Sequence, residues 1–204
     1  MWITRAPGAR KQKSCVPHGY NDQVTDSSWS LDATRGDLLV RTDVGGPAAK
    51  MGHRLTIAMR SWRATVEWRG STAVEARLDV DLDSLEVLKG EGGVTPLSGP
   101  EKLLVRANAL KSLGARKYPK VTFSATDITE VPGGYRLAGT LEIHGTARPQ
   151  SVDLHTEERD GTSVMSARVP ITQSDYGIKP YSLMMGTLKV ADVVTVEFTG
   201  AHPK

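Results

Sequence analysis

The chain has 204 residues, of which 39% are hydrophobic and 24% charged, and its formal net charge is +3. These values are ordinary for a soluble globular protein with one core, and no stretch approaches the ~20 apolar residues of a membrane-spanning helix. The basic excess falls mainly before Asp22, and no basic stripe with interleaved aromatic residues follows it. We therefore expect a single domain with no transmembrane segment and no nucleic-acid partner.

Residues 1–26 are expected to be a basic, disordered tail, and residues 27–204 a single domain. The tail has neither the apolar stretch nor the small-residue cleavage site of a secretory signal, which makes a cytoplasmic location the default expectation. Cys15 is the only cysteine, which excludes an internal disulfide.

Short runs of alternating apolar and polar residues begin at Asp37 and predict antiparallel strands. Two of these runs, 62–70 and 72–81, are joined at Gly70-Ser71 and should pair with their apolar side chains on one face. A further hairpin is predicted in the sequence GTLEIHGTARPQSV, where Gly145 ends one strand. The second strand is expected from Ser151, because Pro149 lacks the amide hydrogen that a central strand position needs.

One long helix is predicted after the Gly- and Pro-rich loop of residues 90–100, with Pro100 in its first turn. Five apolar residues at spacings of three or four would form its buried stripe: Leu103, Leu104, Ala107, Leu110 and Leu113. Further strand-like runs follow the helix. The predicted fold class is therefore mainly β, an antiparallel barrel of about eight strands with one α-helix near the middle of the chain, since closure removes open sheet edges.

Several short motifs, in a fixed order, resemble the YceI-like family of polyisoprenoid-binding or lipid-binding proteins. They are Gly52-His53, Lys117-Tyr118-Pro119 leading to Phe123, Leu141-x-Ile143-His144-Gly145-x-x-x-Pro149, and Ser174-Asp175-Tyr176-Gly177-Ile178. The resemblance runs from about Trp29 to Thr199. It implies a lipocalin-like barrel whose hydrophobic tunnel holds a polyisoprenoid, quinone-like or fatty-chain ligand, with no catalysis and no cofactor.

The sequence also departs from the family pattern. Many members carry a Phe-Phe-Asp run where this chain has Ser112-Leu113-Gly114, and members are often periplasmic or secreted. The mouth or the lining of the tunnel is therefore expected to differ.

The predicted ligand-binding residues are the apolar residues that alternate along four runs, with a methionine beside Tyr181 and a histidine at a strand entrance that could contact a head group. They are Leu55, Ile57, Met59, Phe123, Leu141, Ile143, Val194, Val196, Phe198, Met184 and His53. The same apolar residues could instead fill the barrel completely, because a barrel of about eight strands is either filled or just wide enough for one small ligand.

No catalytic or metal-binding residues are predicted. His144 is expected to have a structural role because no orienting partner is recognisable, and the five histidines lack the H-x-x-x-H spacing of a metal site. The alternating Asp79, Asp81 and Asp83 fit a solvated face, and Ser174-Asp175 fits a turn, because no nucleophile elbow surrounds it.

The leading hypothesis is non-enzymatic binding, transport or storage of a long-chain amphiphile, with a hydrophobic small molecule as partner. Two alternatives are open: a filled barrel that acts as a protein-interaction or stress-related module, and, less favoured, a His-based metal protein or enzyme. Whether the chain forms a homodimer is left open.

Overall fold

The structure is a computed structural model that describes residues 26–203 and contains one large antiparallel sheet, one small sheet and one α-helix. The predicted tail of residues 1–26 lies outside the described residues apart from Asp26. The elements in chain order are β1 (Asp26–Asp32), β2 (Gly36–Arg41), β3 (Val44–Gly45), β4 (His53–Met59), β5 (Trp62–Arg69), β6 (Thr72–Asp81), β7 (Leu85–Gly92), α1 (Gly99–Ser112), β8 (Lys120–Val131), β9 (Gly134–Ile143), β10 (Thr146–Arg159), β11 (Thr162–Thr172), β12 (Ser182–Leu183), β13 (Leu188–Val190) and β14 (Val193–Pro203).

The large sheet has eleven strands in the order β1-β5-β6-β8-β9-β10-β11-β14-β2-β4-β7, and β12, β13 and β3 form the small sheet. Within the described residues, no helix has the length and hydropathy needed to span a membrane.

A bend in one long hairpin curls the large sheet into a barrel. The chain of β4 continues into β5 and that of β6 into β7, and the two bent strands stay paired along their length. At the bend, the Arg60 amide donates to the Ser84 carbonyl at 3.2 Å and the Asp81 amide to the Ser61 carbonyl at 2.9 Å. Because β5 and β6 lie at one end of the strand order and β4 and β7 at the other, this hairpin brings both ends of the sheet together.

The predicted fold class is confirmed, with a correction to the strand count. Eleven strands form the sheet rather than about eight. If β4 with β5 and β6 with β7 are each counted as one bent strand, the number is nine. The edge strands β1 and β7 do not pair with each other in the described part of the chain, so the barrel is partly open.

The pairing of β5 with β6 is the one predicted from alternation. Ala64 lies opposite Leu78 and Val66 opposite Ala76, which puts these apolar residues on the same face. The register shifts between Glu67 and Trp68, where the strand has a bulge.

The predicted start of the second hairpin strand at Ser151 is wrong. Strand β10 begins at Thr146, and Pro149 lies opposite Thr140 of β9. The proline is tolerated because β10 pairs with β11 only from His155 to Arg159. At Pro149 no second strand lies beside β10, so no hydrogen bond to such a strand is lost with the missing amide hydrogen.

Helix α1 begins with the predicted first-turn proline and a reciprocal cap. The Ser98 side chain accepts from the Glu101 amide, and the Glu101 carboxylate accepts from the Ser98 amide. The helix lies along the free edge of β7, where Lys102 Nζ donates to the Leu88 carbonyl at 2.7 Å and Arg106 Nε to the Leu85 carbonyl at 2.8 Å. It therefore covers backbone acceptors that an edge strand would otherwise leave open.

The predicted apolar stripe of α1 is wrong in three of its positions. Leu103 and Leu104 are 69% and 62% exposed, and Ala107 is also exposed. The residues that pack on the core are Val105, Ala109, Leu110 and Leu113. The error arises because the side of α1 that faces the sheet includes the polar Lys102 and Arg106, whereas the prediction used only the spacing of apolar residues.

Candidate ligand-binding cavity

The curled sheet encloses a cavity of about 1060 Å³, lined mainly by apolar side chains. Ligand pockets typically have volumes of ~300–1000 Å³, so this cavity is large enough for a sizeable ligand. Side chains therefore do not fill the barrel.

Ten of the eleven predicted ligand-binding residues line this cavity. They are His53, Leu55, Ile57, Met59, Phe123, Leu141, Ile143, Val194, Val196 and Phe198. The eleventh, Met184, has a side chain that lies outside the described part of the structure. Contact of these residues with a ligand stays a prediction.

Strand alternation explains why these residues point inward. On β4, Leu55, Ile57 and Met59 line the cavity, whereas the intervening Thr56 hydroxyl accepts a hydrogen bond from Arg41 Nη1 at 2.9 Å. Arg41 Nε also donates to the Glu197 carboxylate at 2.8 Å. The polar groups of these strands are therefore satisfied on the outer face, and the apolar groups are left to the cavity.

The middle of the cavity wall is completed by the segment after β11. Strands β10 and β11 separate beyond His155 and Ser166, and Tyr176 and Ile178, both 3% exposed, join Leu141 and Ile143 in one core cluster. This segment closes the wall where strand pairing stops.

One end of the cavity is aromatic. The rings of Trp29 and His202 stack with centroids 4.8 Å apart, and Trp68 meets Tyr135 edge-on at 6.3 Å. Nε1 of Trp68 and Nδ1 of His202 are buried with no hydrogen-bond partner among the described residues. Both nitrogens are enclosed by the packing of this end and are not exposed to the cavity.

The predicted set of ligand-binding residues does not include these aromatic residues, although strand alternation indicates that two of them face inward. Trp29 and Trp68 occupy inward positions of alternating strands, as Leu31 and Val66 do. His202 lies near the end of the chain, and only the pairing of distant strands brings it beside Trp29.

The opposite end of the cavity lies near the small sheet and the start of α1. Nε2 of His53 lies 2.7 Å from the Thr95 carbonyl oxygen, so this histidine holds the loop before the helix. Met51, Leu104 and Leu183 line the cavity here and are also exposed, which shows that the cavity opens to the surface at this end.

Helix α1 also supplies part of the lining, which the sequence prediction missed. The cavity-lining residues follow a helical spacing of three and four: Glu101, Leu104, Val105, Asn108, Ala109 and Ser112. Three of these six are polar, so the helix adds polar groups to an otherwise apolar wall.

The contacts of His144 fit the predicted structural role. Its backbone has a φ of 55°, its Nδ1 lies 3.2 Å from the Tyr176 carbonyl oxygen, and its ring meets Tyr118 at 4.9 Å. A side chain at Gly145 would collide with the Tyr118 ring, so the glycine is required for this packing.

The other polar residues that the sequence analysis considered as possible catalytic or metal-binding groups also make structural contacts. The Ser174 amide and hydroxyl donate to the Asp192 carboxylate at 2.9 and 2.5 Å, and these bonds hold the pKa of Asp192 below its usual value. The Asp79 pKa is likewise lowered by the hydrogen bond from Arg77. Within residues 26–203, no group of three His, Cys, Asp or Glu side chains is placed to hold a metal ion.

An antiparallel barrel curled around an open, apolar cavity is the architecture of the lipocalin-like class of proteins. The sequence profile of the YceI-like domain matches residues 29–201. The chain belongs to the YceI-like family.

Solved structures share this fold. The structure of BcnA from Burkholderia cenocepacia matches with a TM-score of 0.64 at 18% identity, covering 84% of this chain and 99% of that one. The YceI protein of Campylobacter jejuni matches with a TM-score of 0.55 at 14% identity, covering 72% of this chain and 84% of that one. A search of curated proteins found no match.

Proposed function

We propose that the protein binds an isoprenoid or other long-chain amphiphile in its cavity, for transport or storage, without catalysis. The observation that carries this proposal is the cavity of about 1060 Å³ inside the barrel. Membership of a family described as polyisoprenoid-binding supports the same class of ligand.

The free energy of binding would come mainly from the removal of apolar surface from water, at ~25 cal/mol per Å². The lining strands supply apolar groups such as Leu55, Phe123 and Ile143 along the wall. No cofactor is needed for this activity.

The cavity favours binding over the hypothesis of a filled interaction module. The structural contacts of His53 and His144 give no support to a histidine-based enzyme or metal protein. A cytoplasmic location stays a prediction from the sequence, and whether the chain forms a homodimer stays open.

Filling the cavity tests the proposal without burying a charge. Ala167 lines the cavity and is 8% exposed, so Ala167→Phe would place a ring where the ligand is expected. We expect a loss of affinity for geranylgeraniol, a long isoprenoid alcohol, of about tenfold or more, which corresponds to ~1.4 kcal/mol or more. Titration of delipidated protein followed by native mass spectrometry measures it.

The matched control is Ala147→Phe, because Ala147 is exposed on β10 and does not line the cavity. This variant should bind as the wild type does. Equal affinity of all three proteins, each with an intact fold, would contradict binding inside the cavity.

A further inference from the structure

The cavity-facing side of helix α1 carries two polar side chains among apolar ones. Asn108 and Ser112 line the cavity and are four residues apart, so they are neighbours on the same face of the helix. Val105 and Ala109 line the cavity beside them and pack on the core. The two polar side chains therefore form one small patch in an apolar surface, and we call Asn108 and Ser112 the polar patch.

The polar atoms of this patch are accessible and unpaired. Within residues 26–203, neither side chain makes a hydrogen bond to another residue. The enclosed, unpartnered side-chain nitrogens of the described chain belong to Trp62, Trp68 and His202 instead. Asn108 thus offers a carbonyl oxygen and an amide donor to the cavity, and Ser112 offers a hydroxyl group that can donate and accept.

The other side-chain amides of the cavity lining are already engaged. Gln150 donates to the Ser151 carbonyl at 2.8 Å, and Gln173 donates to the Ala191 carbonyl at 2.9 Å. Among the lining residues that the structure describes, Asn108 is therefore the only one whose side-chain amide has no hydrogen bond.

The polar patch lies in the interior of the cavity and not at its opening. Glu101, in the first turn of α1, is near enough to His53 for their charges to interact, which places the start of the helix at the opening. At a rise of ~1.5 Å per residue, Asn108 lies about 10 Å and Ser112 about 16 Å farther along the helix axis. Leu113, the next residue, packs against both core clusters. A ligand that contacts the patch therefore reaches into the barrel.

A hydrocarbon chain cannot satisfy the polar patch. Polar groups that are covered by hydrocarbon lose their hydrogen bonds to water and gain none in return, which costs free energy. A hydroxyl or carbonyl group of a ligand replaces those hydrogen bonds. The patch therefore favours a ligand that places such a group beside the second half of α1 while its chain follows the apolar strands.

The charges of the lining disfavour an ionised group at this position. Glu101 is the charged residue of α1 that lines the cavity, and hydrogen bonds at the helix N-terminus lower its pKa and keep it negative. The basic side chains of the lining are engaged elsewhere, because Arg77 forms an ion pair with Asp79 at 2.7 Å and Lys189 lies against Gly45 of the small sheet. An anionic group at the patch would therefore lack a cationic partner among the described lining residues.

We infer that Asn108 and Ser112 bind an uncharged, hydrogen-bonding head group of the ligand, such as a hydroxyl or a carbonyl. The protein thereby selects isoprenoid alcohols and carbonyl compounds over carboxylates and phosphates with the same chain. This inference rests on the proposed function, because it specifies the ligand chemistry of the same cavity.

Three ligands with one chain separate head-group recognition from burial of the chain. They are geranylgeraniol, geranylgeranoic acid, and the hydrocarbon in which the hydroxyl group of geranylgeraniol is replaced by hydrogen. Delipidated full-length protein is titrated with each ligand at about pH 8, where the acid is ionised, and the complexes are measured by native mass spectrometry. The wild type should bind the alcohol about tenfold or more tightly than the acid.

The patch variant is Asn108→Leu combined with Ser112→Ala. Leu has as many side-chain heavy atoms as Asn, Ala differs from Ser only by the hydroxyl group, and both favour a helix. In this variant the affinity for the alcohol relative to the hydrocarbon should fall about tenfold or more, which corresponds to ~1.4 kcal/mol. Retained binding of the hydrocarbon shows in the same experiment that the cavity is intact.

The matched control is Ser163→Ala, which removes a hydroxyl group from another part of the same cavity. Ser163 lines the cavity from β11, opposite His202 of β14, and its side chain makes no hydrogen bond to another described residue. The ratio of the affinities for alcohol and hydrocarbon should be that of the wild type in this control.

Three results would overturn the inference. They are an unchanged ratio of alcohol to hydrocarbon affinity in the patch variant, an equal fall of this ratio in Ser163→Ala, and binding of the acid by the wild type as tightly as the alcohol. An equal loss of affinity for alcohol and hydrocarbon belongs to the first case, because it would show a damaged cavity and no head-group contact.

Failure of this inference and failure of the proposed function are distinguishable. A wild type that binds these ligands without the expected dependence on head group and patch would leave the proposed function intact and remove the head-group site. A wild type that takes up none of the three ligands would remove both.

Discussion

At the scale of single residues, Asp192 fixes the turn that completes the cavity wall after β11. Its carboxylate accepts from the Ser174 hydroxyl and amide, at 2.5 and 2.9 Å, and these bonds hold its pKa below the usual 3.8. Lys189 lowers this pKa further by charge attraction. Because folding lowers this pKa, the contact stabilises the folded state fully at pH values above the usual carboxyl pKa. This stabilisation is lost as the pH falls through the lowered pKa.

We predict that Ser174→Ala raises the Asp192 pKa towards 3.8, because it removes the hydroxyl donor, the largest cause of the shift. An NMR titration of the carboxyl groups measures the change. Asp79 is the internal control, since its lowered pKa depends on Arg77 and should not move. An Asp192 midpoint that is the same in both proteins would refute the role of the Ser174 hydroxyl.

Single residues also show what alternation can and cannot predict. Inward positions such as Leu55 and Phe123 were predictable because a strand has a period of two and the apolar side faces the core. The pairing of Trp29 with His202 was not, because the two residues are 173 positions apart and β1 and β14 are not neighbours in the strand order. A contact between two strands that are not hydrogen-bonded to each other cannot be predicted from the alternation of apolar and polar residues along either strand.

At the scale of elements, helix α1 protects the edge of β7 through side chains that bind backbone carbonyls. Arg106 donates to the carbonyls of Leu85 and Asp83 and to the Asp83 carboxylate. Edge strands without such cover tend to pair with other chains. The helix is thus a stabilising cover as well as part of the cavity lining.

We predict that Arg106→Ala lowers the free energy of unfolding by ~1–3 kcal/mol, because the partly buried Leu85 carbonyl loses its charged donor. Urea denaturation measures this loss. Lys111→Ala on the same helix is the control and should change stability by less than about 0.5 kcal/mol, since Lys111 is exposed. Equal effects of the two substitutions would contradict the edge-covering role.

The elements themselves were largely predictable, but their limits and faces were not. The helix and the β5–β6 hairpin follow from local spacing, whereas the inclusion of Pro149 in β10 depends on the absence of a second neighbour at that point of the sheet. The face of α1 depends on hydrogen bonds to β7 that no hydropathy pattern contains. The start of β10 and the buried face of α1 are therefore both determined by tertiary contacts, which the local sequence does not specify.

At the scale of the whole molecule, the bent hairpin β4–β5 and β6–β7 brings the ends of the sheet together and leaves a cavity of about 1060 Å³. The sequence predicted a barrel but could not decide between a filled and an open interior. Interior volume depends on how all the strands curve together, and alternation along one strand carries no information on that curvature. The motifs around Tyr118, His144 and Asp175 indicated the family, and so favoured the open form.

Native mass spectrometry of the purified full chain, before and after denaturation and organic extraction, tests the central claim most directly. The account predicts an added mass that is released on denaturation and is identified in the extract as an isoprenoid or other long-chain amphiphile. Delipidated protein should take up geranylgeraniol with a stoichiometry of about one, as expected for a single cavity of this size. A bare protein mass that stays bare after incubation with geranylgeraniol and with a long-chain fatty acid would contradict the account.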